Sequence, residues 1–357
     1  MDFLKSKFEQ QISASVEEDF EDVHITTIFG DKNFEVKFSP AQIVKGLEKD
    51  TYDLAFNEWK SRYIREQLER AEAILSRFDN RNVFQRLKNV VGSTSIVIPF
   101  VGAGMSCESG FLGWQEYLWY LQADSGVAEA DLQALLDSGR FEEAADLLLA
   151  DFGEILFEFK LQTTYTSFDG LPINGAINYL PLLFTHSVIT TNFDNLLERV
   201  YQSANTSFDE VLKGKLGSSF NRHLAEGRRC LLKLHGHYSE PGTRVLTKAE
   251  YDSVYNPPNG VIEALKAAFK SHTFLFLGCS LDSDRTMKVM KDIVDADKEA
   301  VPSHFAFLPA PTDDAIRRAK ERLLAERKIF PIWYPDGEHE ISIDALFIRM
   351  LSEIGMI

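Results

Sequence analysis

The sequence predicts an α/β protein: a mostly parallel sheet with helices on both faces, a largely helical insertion and an α+β extension at the N-terminus. Three observations lead there. From Ile96 onward, short apolar runs rich in β-branched and aromatic residues alternate with helical stretches. Crossovers of about ten or more residues between strands favour right-handed connections and parallel pairing. Four of the apolar runs also end in glycine-containing or polar segments, and ligands gather at such strand ends in open α/β sheets.

Residues 1–92 read as an accessory region suited to packing or oligomerisation. Positions 3–17 suit a short helix, and ITTIFGDKNFEVKF (25–38) suits a hairpin turning at Gly30-Asp31-Lys32-Asn33. A long helix is expected from about Tyr52 to Phe78. Its apolar positions Tyr52, Phe56, Trp59, Tyr63, Leu68, Ala71, Leu75 and Phe78 recur at helical spacing and call for one buried face.

Residues 93–357 read as the second, larger domain. Ile96–Val101 is the opening strand. Gln115–Gln122, Glu129–Asp137 and Phe141–Ala150 follow as helices, and 115–186 is expected to be the helical insertion. A helical segment at Ile177–Phe184 leads to a strand at Ser187–Thr190 and a helix at Asn195–Ser203. The strand Cys230–Leu234 precedes helices at Lys248–Val254 and Val261–Ser271. Then come the strand Thr273–Leu277, a helix at Asp284–Ala296, the strand Ser303–Leu308, a helix at Asp313–Lys328, the strand Ile329–Trp333 and a final helix from Ile343.

Bulk composition narrows the class. The 357 residues are 45% hydrophobic and 26% charged, as in ordinary globular proteins. No run is long enough to cross a bilayer, and MDFLKSKFEQQ has no apolar signal region, so a cytoplasmic protein without a membrane partner is expected. Cys107, Cys230 and Cys279 lie far apart, so neither a disulfide framework nor a four-cysteine zinc site is expected, and no metal. A formal net charge of −16 disfavours direct nucleic-acid binding. Arg317, Arg318, Lys320 and Arg322 cluster on a helix that also carries Asp313, Asp314, Glu321 and Glu326, which reads as a solvated face.

The chemistry falls at the strand ends. Gly102-Ala103-Gly104-Met105-Ser106 closes the first strand, where missing side chains let backbone N–H groups approach a phosphate. The alternative is a tight turn that needs glycine and binds nothing. Thr190-Thr191-Asn192-Phe193-Asp194, Lys233-Leu234-His235-Gly236 and Gly278-Cys279-Ser280-Leu281-Asp282 close three more strands, all on one edge of the sheet. A purely structural protein has no need of Asn, Asp, His and two glycine turns at those places.

In that order, the four motifs resemble the sirtuin-like (silent information regulator) fold, a Rossmann-type NAD-binding domain, over about Ile96–Asp282. By that resemblance Gly102, Ala103, Gly104, Ser106, Thr191, Gly278, Ser280 and Asp282 would bind NAD. TTNFD takes the place of the nicotinamide-site motif, and KLHG that of the active-site histidine segment. The departures matter as much. Gly110-Phe111-Leu112-Gly113-Trp114 replaces the deacylating enzymes' Pro-Asp-Phe-Arg segment, and the four-cysteine zinc module cannot be built. LTKAEYDSVY (246–255) stands where a strand clamping an acyl-lysine peptide is expected. These features are similar to the bacterial sirtuin-like branch of anti-phage defence, whose members hydrolyse NAD.

Cleaving the N-glycosidic bond of NAD makes an oxocarbenium-like ribose and a neutral leaving group, and water must be delivered to the anomeric carbon. Asn192 can hold that water or the ribose hydroxyls without adding charge. Asp194 can fix the nicotinamide amide or support the developing cation. His235, with an ordinary pKa near ~6.5, can act as general base, and His237 is the weaker candidate. Each has a structural alternative, since Asn192, Asp194 and Asp282 could all serve helix N-termini.

The expected activity is therefore NAD hydrolysis to nicotinamide and ADP-ribose by an NAD-depleting effector. The alternatives are an NAD-dependent protein deacylase and a non-catalytic scaffold that binds NAD or ADP-ribose. Residues after Trp333 offer only PDGEHE and one helix, too little for a sensor. Control is then expected from a homo-oligomer and, by resemblance to stand-alone members of the branch, from a hexameric HerA-family ATPase/DNA translocase.

Overall fold

The structure is a computed structural model, and it describes residues 3–15, 23–29, 32–255, 260–282 and 285–357. Contacts divide the chain into two units, Met1–Arg70 and Ala71–Ile357.

In the first unit a helix, Phe3–Ser15, precedes the antiparallel pair β1 (Val23–Phe29) and β2 (Lys32–Phe38). Lys32 and Asn33, expected in the turn, lie in β2; Gly30 and Asp31 lie outside the described residues. Ser39 and Gln42 then form a reciprocal capping box that starts the helix Pro40–Leu47. The long helix runs Lys49–Leu75. Its Tyr52, Phe56 and Trp59 rings each lie 5.5 Å from that of Phe8, and Tyr63 stacks on Trp59 at 5.0 Å. Tyr52, Phe56, Trp59 and Tyr63 of the expected stripe thus form this unit's core, while Ala71, Leu75 and Phe78 belong to the second unit. Phe78 departs from the expected helix: the helix stops before it, its φ is +50°, and within the second unit its ring is half-exposed beneath the Arg317 guanidinium.

The second unit is built on seven parallel strands: β3 (Val97–Val101), β4 (Val188–Thr190), β5 (Glu210–Lys213), β6 (Cys230–Lys233), β7 (Thr273–Leu277), β8 (His304–Pro309) and β9 (Ile329–Tyr334). Their spatial order is β5-β6-β4-β3-β7-β8-β9. The chain first builds outward from β3 on one side, then returns past it to start β7 on the other. The reversal falls between β3 and β7, the place where open α/β sheets hold ligands at the strands' carboxyl ends. Strands β3, β4, β6 and β7 are buried along their whole length, which is why they read as unbroken apolar runs. On one face, Ile98, Phe100, Ile189, Leu232, Phe274 and Phe276 join a single core cluster with the helix Gly260–Ser271.

Several elements go beyond the sequence expectation, among them the helices Pro40–Leu47, Asn80–Val91 and Phe220–Ala225. A fourth helix, Glu154–Ser167, follows Trp114–Gln122, Glu129–Asp137 and Phe141–Phe152 between β3 and β4. Strand β5 has four residues, of which only Leu212 is buried, so it carries almost no apolar pattern. The basic cluster at 317–322 is also less solvated than its composition implies. Arg317 is buried, with Asp314 at 2.6 Å and Glu321 at 2.9 Å.

Candidate functional site

The four strand-end motifs converge on one cavity of about 670 Å³, within the usual range for small-molecule sites. Gly102, Ala103, Gly104, Thr191, Asn192, Asp194, His235, Gly278 and Ser280 line it. Ser106 lies just behind the wall, buried. Asp282 is not among the lining residues; its carboxylate pairs with Lys320 Nζ at 3.0 Å.

The two glycine turns, after β3 and β7, are locked into each other. Gly102 N–H donates to Leu277 O at 2.8 Å and Gly104 N–H to Gly278 O at 3.1 Å. A Cβ on Gly102 would sit 2.5 Å from Gly278 O; one on Gly278, whose φ is +65°, would sit 2.5 Å from Met105 N. Glycine is required at both. The chain then enters two 3-10 turns, Ala103–Met105 and Cys107–Ser109, and the next α-helix starts only at Trp114. The turn therefore does not lead directly into an α-helix. Met105 and Ser106 N–H also bond within the turn, to Gly102 O and Ala103 O. What the glycines give the cavity is chiefly a floor free of side chains.

Beyond β4 the chain forms a chained set of hydrogen bonds. Thr190 Oγ1 donates to Val101 O (2.8 Å) and accepts from Asn192 N (3.0 Å), fixing the strand exit. Asn192 Nδ2 donates to Gly102 O and to Ser106 Oγ, both at 3.1 Å. Ser106 Oγ donates to Asp194 Oδ2 at 3.0 Å, and Leu196 N–H donates to Asp194 Oδ1 at 3.0 Å. Asp194, one residue before the N-cap Asn195, thus holds the first N–H of the helix Leu196–Ser203 while facing the cavity. Burial pushes its carboxyl above the ordinary Asp range, opposed by the charge of Lys233. Lys233, fully buried on β6, donates from Nζ to the Asp194 carbonyl and to Glu198 Oε1 at 3.1 Å.

At the end of β6 the His235 ring stands between two tyrosines of the helix Lys248–Tyr255. Its Nε2 lies 3.2 Å from Tyr255 Oη, and its Nδ1 lies 3.5 Å from Tyr251 Oη. Burial lowers its pKa to about 4, well under the ordinary value expected from sequence. The imidazole is neutral near pH 7, with one ring nitrogen an acceptor and the other a donor. His237 is outside the cavity lining; its Nδ1 accepts from Ser239 N–H at 3.2 Å and holds a turn.

Tyr165, Tyr251 and Arg285 are among the wall residues that sequence reasoning passed over. Tyr165 comes from the unforeseen helix Glu154–Ser167. Tyr251 lay inside LTKAEYDSVY, read as a helix from Lys248 and as the lack of a peptide strand, with no role given to the tyrosine. Arg285 is the single basic Lys or Arg among the described lining residues; it holds Glu142 (2.8 and 2.5 Å) and Asp252 (2.6 Å). Its sequence setting gives no sign of this, since both partners are remote or on another helix.

Residues 186–332 match the SIR2-like domain. That segment holds Asn192, Asp194, His235 and the Gly278 turn, and leaves Gly102–Ser106 outside. The chain is 23% identical to the NAD(+) hydrolase ThsA of Enterococcus faecium over 64% of its own length and 46% of the relative's. It is 23% identical to the NAD(+) hydrolase ThsA of Bacillus cereus (strain MSX-D12), over 72% and 49%. The Acinetobacter baumannii (strain 532279) protein of that name is 27% identical over 51% and 36%. The chain thus spans about half the length of the first two of these relatives. Among solved structures, a Sir2 homolog–NAD complex aligns with a TM-score of 0.37 at 13% identity, over 76% of this chain and 94% of the other. Among the described residues no group of three or more His, Cys, Asp or Glu side chains is placed to hold a metal, and no helix is long and apolar enough to cross a membrane.

Proposed function

We propose that the cavity binds NAD and that the chain hydrolyses its nicotinamide–ribose bond. One observation carries the reading: Asn192 and His235, at the ends of the paired strands β4 and β6, face one cavity floored by two interlocked glycine turns. In this reading the water oxygen bonds to the anomeric carbon and the carbon–nitrogen bond breaks. Its electron pair leaves with nicotinamide, and the water's proton passes to neutral His235, giving ADP-ribose. Asn192 holds the water or the ribose hydroxyls; Gly102, Ala103, Gly104, Thr191, Gly278 and Ser280 shape the bed for the dinucleotide. The similarity to proteins named NAD(+) hydrolase supports this over a deacylase or a silent scaffold.

Further proposals follow from the resemblance alone. The chain serves as an NAD-depleting effector of anti-phage defence, in the cytoplasm, as a homo-oligomer controlled by a HerA-family ATPase. Co-purification with such an ATPase from a strain expressing both tests the partner.

The activity is tested by following nicotinamide release from NAD by the purified chain, alone and with acetylated peptide. Release without peptide, cut at least ~100-fold in Asn192→Ala and His235→Ala, is expected. Strict dependence on peptide would make it a deacylase; equal turnover by wild type and both variants would move the chemistry elsewhere.

A further inference from the structure

We infer that Asp194 is a positioning residue: by holding the Ser106 hydroxyl as an acceptor it supplies the second of two anchors, beside the Gly102 carbonyl, that keep the Asn192 amide oxygen toward the cavity. The inference rests on the NAD-hydrolysis reading for its catalytic consequence, and on hydrogen-bond directions alone for its geometry.

Two groups in the network have no choice of direction. The carbonyl of Gly102 can only accept, so the Asn192 atom 3.1 Å from it is the NH2 nitrogen. An ionised Asp194 carboxylate can only accept, so the Ser106 hydroxyl gives it its proton across 3.0 Å. Having spent that proton, Ser106 Oγ is an acceptor toward Asn192, and it takes the second N–H at 3.1 Å. Both hydrogens of the amide are thereby committed to the protein. The end left for the cavity is the carbonyl oxygen Oδ1.

An acceptor at that place suits the proposed step. It takes a hydrogen from the attacking water or a ribose hydroxyl and leaves the water's lone pair directed at carbon. The reversed amide would donate to that lone pair and oppose attack. Asp194 itself has both oxygens engaged, Oδ2 with Ser106 and Oδ1 with Leu196 N–H. Its role therefore moves from a ligand of nicotinamide to the group that aims Asn192. Lys233 and Glu198 sit directly beneath, with Lys233 holding the Asp194 carbonyl, so the charge that sets the direction is itself anchored.

Asp194→Asn is the decisive variant because it keeps shape and reverses polarity. Leu196 N–H still needs an oxygen, so the new NH2 turns toward Ser106. The hydroxyl becomes an acceptor there and its proton swings toward Asn192, so the Asn192 amide loses its second anchor while Gly102 O still calls for an N–H. Turnover is expected to fall about 10-fold with KM for NAD held within ~3-fold and ADP-ribose binding, by calorimetry, retained. Ser106→Ala cuts the relay and is expected to cost ~10-fold; adding Asp194→Asn to it should cost less than ~3-fold more, because no relay remains to reverse. Additive losses, or a raised KM in Asp194→Asn with Ser106→Ala silent, would make Asp194 a substrate ligand and overturn the inference. A readout independent of turnover keeps it exposed. In wild type the Asn192 side-chain NH2 protons should exchange slowly by NMR, and in Ser106→Ala faster; equal exchange rates would sink the relay. Protected NH2 protons in a wild type that never releases nicotinamide would instead refute the NAD reading and leave the relay standing.

Discussion

Nε2 of His235 lies 3.2 Å from the hydroxyl of Tyr255, and that hydroxyl lies 3.1 Å from Thr286 Oγ1. The ring of the candidate base is thus steadied from the helix Lys248–Tyr255, which the sequence reading placed but gave no role. Tyr255→Phe keeps the ring packing and removes the tether. Loss of one hydrogen bond of about 1 kcal/mol predicts a fall in turnover of roughly 5–10-fold, with KM for NAD little changed. Steady-state kinetics of the purified variant decide it; unchanged turnover would mean the tyrosine does not steady the base.

The interlock of the two glycine turns predicts a stability effect as well as a catalytic one. Gly278 has φ +65°, and a Cβ there would lie 2.5 Å from Met105 N and 3.0 Å from Gly102 O. Gly278→Ala meets both backbone strain and overlap with backbone that cannot step aside. The expected cost is at least ~2 kcal/mol in urea unfolding, with NAD turnover largely lost. Gly139→Ala, also at positive φ but with nothing within 4 Å, should show only the strain.

The strand-end placement of the four motifs was legible because it follows from elementary rules. Buried parallel strands read as apolar runs, and the polar or glycine residues that break each run fall at its carboxyl end. The convergence of Asn192 and His235 on one edge follows from that alone. Directions of hydrogen bonds were not legible. Nothing in TTNFD says that Asp194 is committed to Ser106, 88 residues away, or that Lys233 beside the candidate histidine points under the loop. Strand β5 and the helix Glu154–Ser167 escaped for opposite reasons. One is too short and too exposed to show a period; the other has Ile155 and Phe159 on its solvent side, blurring the stripe of Phe157, Leu161 and Tyr165 inside.

Lys233 tests the anchoring of the loop. It is fully buried and its partners are the Asp194 carbonyl and the Glu198 carboxylate. Lys233→Met fits the apolar stem but leaves Glu198 without its cation and Asp194 without the charge that offsets its burial. Removing one member of a buried pair predicts a loss of about 3 kcal/mol. Lys233→Met with Glu198→Leu should recover part of it, since no unpaired carboxylate then remains at 198. Chemical denaturation of the three proteins measures both; equal stability of Lys233→Met and wild type would show that the pair anchors nothing.

Acid should unfold the second unit through its buried histidines. Burial lowers His235 to about 4 and His304 to about 3, from an ordinary 6.5. His304 stacks on Phe269 at 3.8 Å between ring centroids, and its Nδ1 accepts from Phe274 N–H at 3.0 Å, a bond that protonation at that nitrogen would break. Below pH ~6.5 the unfolded chain takes up protons that the folded chain refuses until near pH 4 for His235 and pH 3 for His304. The unfolded state then binds more protons, so stability falls as pH falls through that window, by about 1.4 kcal/mol per pH unit for each group. Urea unfolding at pH 7, 6 and 5 should show the slope. In His304→Gln, whose side-chain oxygen can still accept from Phe274 N–H, the slope between pH 6 and 5 should fall by about one group's share. A slope identical to wild type in that variant would take His304 out of the account.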